Sequence, residues 1–212
     1  MIFVEVFFII LLFTLFAGSH TWFASLKIKR ALAEKLGNKI AFYRLFYNST
    51  SLIFFLAFYA ISPKPDITVY DLRFPFDIIT FVLQVLSLIG LFWASRGIDW
   101  KEFVGIAQIN RYMNGVYDAS DLDEKQTFKI SGAFKFVRHP IYLFSILFLG
   151  FRPTMNVFYL TMYLCVIAYF YIGSIYEERK LIELFGNEYK EYQKKVPRIF
   201  PWKIKWIFLL RG

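Results

Sequence analysis

A chain of 212 residues that is 58% hydrophobic and 22% aromatic is too apolar for an ordinary soluble domain of its size. The basic residues behind its net charge of +9 flank apolar runs, which assigns them to anionic headgroups and topology and excludes nucleic acid as a partner. The single cysteine, Cys165, lies in an apolar run, so an internal disulfide framework and a thiolate zinc cluster are excluded, and no metal is expected.

The alternation of barrel strands is absent, so the apolar runs are expected to be helices that satisfy their own backbone in lipid. Ile2 to Ala17 is apolar apart from Glu5 and Thr14. A signal peptide would carry Lys or Arg ahead of its apolar core, where this chain carries Glu5, so a retained first transmembrane helix is expected. Lys27 to Arg44 is then a short basic connection, cytoplasmic by the positive-inside rule, which leaves the N-terminus outside. Phe42 to Ile61 is the second span, stopped by Ser62-Pro63-Lys64-Pro65, and the charge-balanced connection Pro63 to Pro75 suits the outer face. Phe76 to Ser95 is the third. The polar segment Arg96 to Arg138 exceeds a simple connection, and long loops in compact domains tend to carry function.

Phe134 to Gly150 is a short fourth run that, counted from Pro140, reaches only about half to two-thirds of a hydrocarbon core. Phe151-Arg152-Pro153-Thr154 makes a turn, and Val157 to Ile175 is the fifth span. Pro201 to Leu210, with Trp202 and Trp206 among lysines, reads as an interfacial segment. The expected architecture is therefore all-α and polytopic. About five transmembrane helices, a cytoplasmic loop and a C-terminal tail form one membrane domain over 1–212, with an N-terminal part at 1–130 and a hairpin and tail at 131–212.

Folding the last two runs into a hairpin brings Arg138-His139-Pro140-x-Tyr142 and Glu177-Glu178 to one membrane face. A residue before proline is pushed to extended conformations, which places Arg138 and His139 in a turn capping the fourth helix. The cluster reads either as an Arg–Glu pair pinning two helices or as a site for a cationic or zwitterionic ligand. Tyr142, Tyr189 and Tyr192 fit an aromatic belt or that same site. His20, at the end of the first helix, fits a structural or a functional role.

The ordered set Arg138-His139-Pro140-x-Tyr142, an apolar hairpin, Glu177-Glu178-x-x-Leu181-x-x-x-Phe185-Gly186-x-x-Tyr189-x-x-Tyr192 and Val196-Pro197-x-x-x-Pro201 resembles the isoprenylcysteine carboxyl methyltransferase and phospholipid methyltransferase superfamily of membrane enzymes. The N-terminal half, with His20 and Ser25 before the basic loop and Asp99-Trp100-Lys101-Glu102-Phe103 leading to Gln108, is similar to the branch of NnrU-like proteins and methanethiol S-methyltransferases. This resemblance implies an S-adenosylmethionine-dependent methyltransferase in the inner cell membrane, with active site and C-terminus cytoplasmic, among membrane lipids. It assigns the cofactor to His139, Pro140, Tyr142 and Glu177. Gln108, Gln126, Thr127, Phe128, Lys129 and Phe134 follow as secondary assignments, Phe134 standing where a Tyr is common. Arg138, Glu177 and Glu178 are the implied catalytic groups, Arg138 by favouring a thiolate. The carboxyl-methylating branch carries an Arg where this chain has Gly173, so the implied acceptor is a small thiol or lipid-like molecule. A sterol-type NADPH-dependent reductase and a non-catalytic NnrU-like accessory protein are the alternatives.

Overall fold

A computed structural model of the protein describes residues 1–120, 122, 128 and 130–202. The chain forms two compact units, Met1–Pro63 with Ile98–Thr127, and Lys64–Gly97 with Phe128–Gly212. Four helical stretches are long and apolar enough to cross a membrane, Ile2–Ala24, Leu26–Ile61, Phe76–Ser95 and Val157–Lys195. The chain is a helical integral membrane protein. Pro140–Gly150, the short fourth run, has 11 residues, about 16 Å of helix against a core of roughly 30 Å. Gln126, Thr127, Lys129 and most of Pro201 to Leu210 lie outside the described residues.

In the first unit, α1 (Ile2–Ala24) is apolar on every side and buries Ile9 and Phe13, one turn apart. Phe13 sets its ring edge-on against Phe58 of α3 (Tyr43–Ile61), at 5.6 Å between centroids. The stretch expected as a plain basic connection is instead α2 (Leu26–Leu36) and a 3-10 turn, Gly37–Phe42. Its spacing explains the difference. Ile28, Leu32 and Ala33 share one face and pack on Ile40, Ala41, Tyr43 and Tyr117, while Lys27, Arg30 and Lys35 stay exposed. Gly37, at φ 52, ends the helix.

The long polar segment also has structure. Asp99 caps α5 (Trp100–Val104) by accepting from the Lys101 and Glu102 N–H groups. Gly105 turns the chain into α6 (Ile106–Met113) at φ 102, and a Cβ there would lie 2.8 Å from the Leu45 backbone nitrogen. Only glycine allows both that turn and that approach to the start of α3. Glu102 pairs with Arg111, and Asn48 donates to the Phe103 carbonyl at 2.9 Å.

In the second unit, α4 (Phe76–Ser95) presents Ser87, Gly90 and Ala94 as a narrow buried strip. The Phe144 ring of α7 (Pro140–Gly150) lies in that strip, so close that a Cβ on Gly90 would overlap it. The connection Pro63 to Pro75 holds a strand that the all-α expectation lacked. β1 (Thr68–Asp71) pairs antiparallel with β2 (Thr154–Asn156), matching Tyr70 to Met155 and Asp71 to Thr154. Asn156 then caps α8 (Val157–Lys195) by accepting from the Tyr159 N–H.

The apolar part of α8 ends near Ile175, as expected, but the helix continues because Tyr176 to Phe185 is rich in good helix formers. It breaks at Gly186, with φ 55 and ψ −126. Beyond that break Tyr189, Tyr192 and Val196 are buried against Leu181, Ile182, Phe185 and Phe128. The tail therefore packs back on the turns that precede Gly186.

Candidate active site

The site is built where α7 begins. Pro140 occupies the first turn, where its missing N–H costs nothing, and His139 before it lies outside the helical region at φ −124 and ψ 66. The N–H groups of Arg138 and His139 donate to the carbonyls of Pro197 and Arg198, both at 2.9 Å. The segment that follows α8 thus fixes the backbone of this turn.

Glu178 is buried at 2% side-chain exposure and accepts from five donors. Arg138 grips it with two nitrogens, Nε to Oε1 at 2.8 Å and Nη2 to Oε2 at 3.0 Å. Gln193 Nε2 at 2.8 Å, Arg198 Nη2 at 3.2 Å and His139 Nε2 at 3.1 Å complete the shell. Arg138 Nη1 donates onward to the Gln193 and Val196 carbonyls. A buried carboxylate is tolerable only when its charge and lone pairs are met in this way.

Glu177, its sequence neighbour, points the other way and leaves 52% of its side chain exposed. Tyr142 Oη donates to Glu177 Oε1, and His139 Nδ1 lies 3.3 Å from Oε2. The Tyr142 ring stacks between His139, at 5.2 Å and 10°, and Phe170, at 4.3 Å and 2°. Both His139 nitrogens face carboxylates, and only the imidazolium donates at both. Burial pushes the His139 pKa down, but hydrogen bonds to Glu177 and Glu178 and their charges outweigh it and raise it above 6.5.

Of the residues singled out from sequence, Arg138, His139, Pro140, Tyr142, Glu177 and Glu178 meet here. Phe134 packs its ring 3.3 Å from a Cβ built on Gly97, and its carbonyl accepts from Tyr192 Oη at 2.6 Å. Phe128 sits in the aromatic cluster with Phe185, Tyr189 and Tyr192. Tyr189 and Tyr192 are core residues, 2% and 6% exposed, which removes them from any aromatic belt. Gln108 belongs to the first unit, where it is buried, donates to the Glu102 carbonyl at 3.1 Å and leaves Oε1 without a hydrogen bond. Sequence reasoning missed Phe170, Gln193 and Arg198. Phe170 was within reach, since it lies two turns before Glu177 on the same helix face.

The arrangement offers a half-exposed carboxylate, held by a tyrosine and an imidazolium, beside stacked aromatic rings. Comparison with known proteins places that arrangement in context. Methanethiol S-methyltransferase 1 of Bradyrhizobium diazoefficiens is 29% identical over 197 residues, covering 92% of this chain and 66% of that protein. Methanethiol S-methyltransferase of Pseudomonas deceptionensis is 29% identical over 91% of this chain and 71% of its own length. Protein-S-isoprenylcysteine O-methyltransferase of Schizosaccharomyces pombe is 27% identical over 61% of this chain and 56% of its own. These relatives, at 27% to 29% identity over most of the chain, support placing it in the isoprenylcysteine carboxyl methyltransferase-like superfamily. Their shared names support a membrane methyltransferase. No family model matches the sequence, and no solved structure matches the chain.

Proposed function

We propose that the protein transfers a methyl group from S-adenosylmethionine to a small thiol or lipid-like acceptor at the Glu177 face of the second unit. The observation that carries this reading is the contrast between the sealed Glu178 and the half-exposed Glu177 carboxylate beside it. The donor is cationic at sulfur and at its amino group and carries a flat purine, and the site supplies matching chemistry, a carboxylate and stacked rings. When bound, the cofactor supplies an electrophilic methyl group on a positively charged sulfur.

The chain's own residues then have separable tasks. Glu177 binds the cationic part of the cofactor, and Tyr142 and His139 orient its carboxylate. Pro140 sets the turn, while Arg138 and Glu178 position His139 from below. Phe128 and Phe134, in the same unit, are secondary contributors to that binding. Rate enhancement comes mainly from holding donor and acceptor at attack distance in a water-poor setting. The names of the methanethiol S-methyltransferase relatives favour a small thiol acceptor. The basic charge of Lys27 to Arg44 and of the tail favours an inner-membrane protein with N-terminus outside and the site on the cytoplasmic face. The two units are read as parts of one membrane domain over 1–212.

The test is calorimetric binding of S-adenosylmethionine and its demethylated product to protein in mild detergent. Micromolar binding is expected, weakened tenfold or more, about 1.4 kcal/mol, in Glu177→Gln and in His139→Ala. Folded protein that binds neither compound but binds NADPH would overturn the reading in favour of a reductase.

A further inference from the structure

Glu177 is the carboxylate left open to a ligand, and its direction is set from α7. The Tyr142 hydroxyl, carried by the first turn of that helix, crosses to α8 and donates to Glu177 Oε1. A phenol holds its oxygen at the far end of a rigid ring, so a small swing of the ring takes the oxygen outside the narrow range of a good hydrogen bond. Whatever restrains the ring is therefore part of the site.

One broad face of the Tyr142 ring lies on the His139 imidazole, at 5.2 Å and 10°, and the other lies on the Phe170 ring, at 4.3 Å and 2°. His139 is fixed by its contacts with both glutamates. Phe170 is fixed by the apolar core of the second unit, where it packs against the cluster of Val137, Leu143, Ile146 and Ile199. Along α8 the register completes the arrangement. Phe170, Gly173 and Glu177 follow at spacings of three and four, so they share one stripe of the helix, about 10 Å from first to last. A Cβ built on Gly173 would come within 3.9 Å of Tyr142 Oη. The tyrosine thus lies along that stripe, with its ring on Phe170 and its hydroxyl beside Gly173 and on Glu177. Both broad faces of the phenol are covered, which leaves the hydroxyl as the part that acts on the carboxylate. Parallel stacked rings also hold a ring plane that an aliphatic side chain of similar volume does not.

We propose that Phe170 is a positioning residue of the cofactor site: it acts through Tyr142, holding the hydroxyl on Glu177 so that this carboxylate is aimed before the cationic cofactor arrives. The proposal deepens the methyltransferase reading given above and rests on it. A group ordered in advance need not be ordered at binding, so loss of the restraint appears as weaker affinity.

The test is a double-mutant cycle on binding of S-adenosylmethionine, measured by calorimetry in mild detergent. Phe170→Leu keeps a side chain of similar bulk and removes the ring, and it should weaken binding by about tenfold. Tyr142→Phe keeps the stack and removes the hydroxyl, with a loss of similar size. Adding Phe170→Leu to Tyr142→Phe should then cost less than about twofold, because the hydroxyl through which Phe170 acts is already gone. Phe170→Tyr, which restores a flat ring, should bind within about threefold of wild type. A second readout needs no cofactor. Tyrosine labelled with carbon-13 at Cζ gives a Tyr142 resonance, identified by its loss in Tyr142→Phe, whose shift reports the phenol hydrogen bond. Phe170→Leu should move that resonance toward the value of a solvated phenol. Equal loss from Phe170→Leu in both backgrounds makes the effect one of general packing and overturns the proposal, as does full binding by Phe170→Leu or by Tyr142→Phe. A Cζ resonance unmoved by Phe170→Leu overturns it as well, whatever binds. Wild-type protein that binds no S-adenosylmethionine overturns the methyltransferase reading and the cofactor role of Phe170 with it, and the Cζ resonance separates that failure from a failed link between Phe170 and Tyr142.

Discussion

Glu177 and Glu178 are adjacent in sequence, yet the helix rotates about 100° between them and sends each into a different world. Glu178 enters the protein and is met by two guanidinium groups, an amide and an imidazole. Glu177 stays half in the open, held by one phenol and the far side of that same imidazole. His139 joins the two, so the buried carboxylate sets the ring that presents itself to the exposed one. A pair of identical residues thus divides into one that holds the site together and one that is available to a ligand.

The sharpest way to break that division is at the buried member. Glu178→Leu leaves Arg138 buried without its partner, and thermal unfolding in detergent should show a loss of about 3–5 kcal/mol. Adding Arg138→Met to it should recover part of that loss, because the two charges then vanish together. Glu177→Gln should show the converse pattern, the tenfold loss of cofactor binding with stability changed by less than about 0.5 kcal/mol. Equal destabilisation by both substitutions would erase the distinction.

His139 gives a pH test of the same contrast. Its folded pKa is raised above the usual 6.5, so its charged form contributes stability that is fully present below about 6.5 and is lost as pH rises through the folded value. Melting temperature should therefore decline as pH rises from about 6.5 through the folded value in the wild type, and this decline should be absent in His139→Gln. The smallest effect is expected at Arg198, whose side chain is 27% exposed. Arg198→Met should cost about 1 kcal/mol or less in the same melts.

The membrane helices were legible because long apolar runs bounded by proline leave few alternatives; α4 begins and ends where the sequence places it. The strand β1 was not, although Thr68-Val69-Tyr70 carries the β-branched and aromatic residues of one, because three or four residues between prolines look like a loop until a partner strand appears. The turn Arg138-His139-Pro140 and the two glutamates were visible as charges in an apolar setting. Which glutamate turned inward was not, since neighbouring positions such as Tyr176 and Arg179 give α8 no clean polar face. Gln193 and Arg198 were hidden for another reason. They reach Glu178 only because Gly186 breaks the helix and returns the tail, a tertiary event that no local pattern encodes.

That return has a consequence for biosynthesis. The backbone of Arg138 and His139 is held by carbonyls of Pro197 and Arg198, nearly sixty residues later. The spans can enter the membrane one after another as they emerge, but the turn at Arg138 and His139 cannot take its final shape until the chain has been made through Arg198 and has folded back at Gly186. Assembly of the site is therefore the closing event of the second unit's maturation, and a ribosome stalled before that point would carry a fully inserted protein with an unfinished centre.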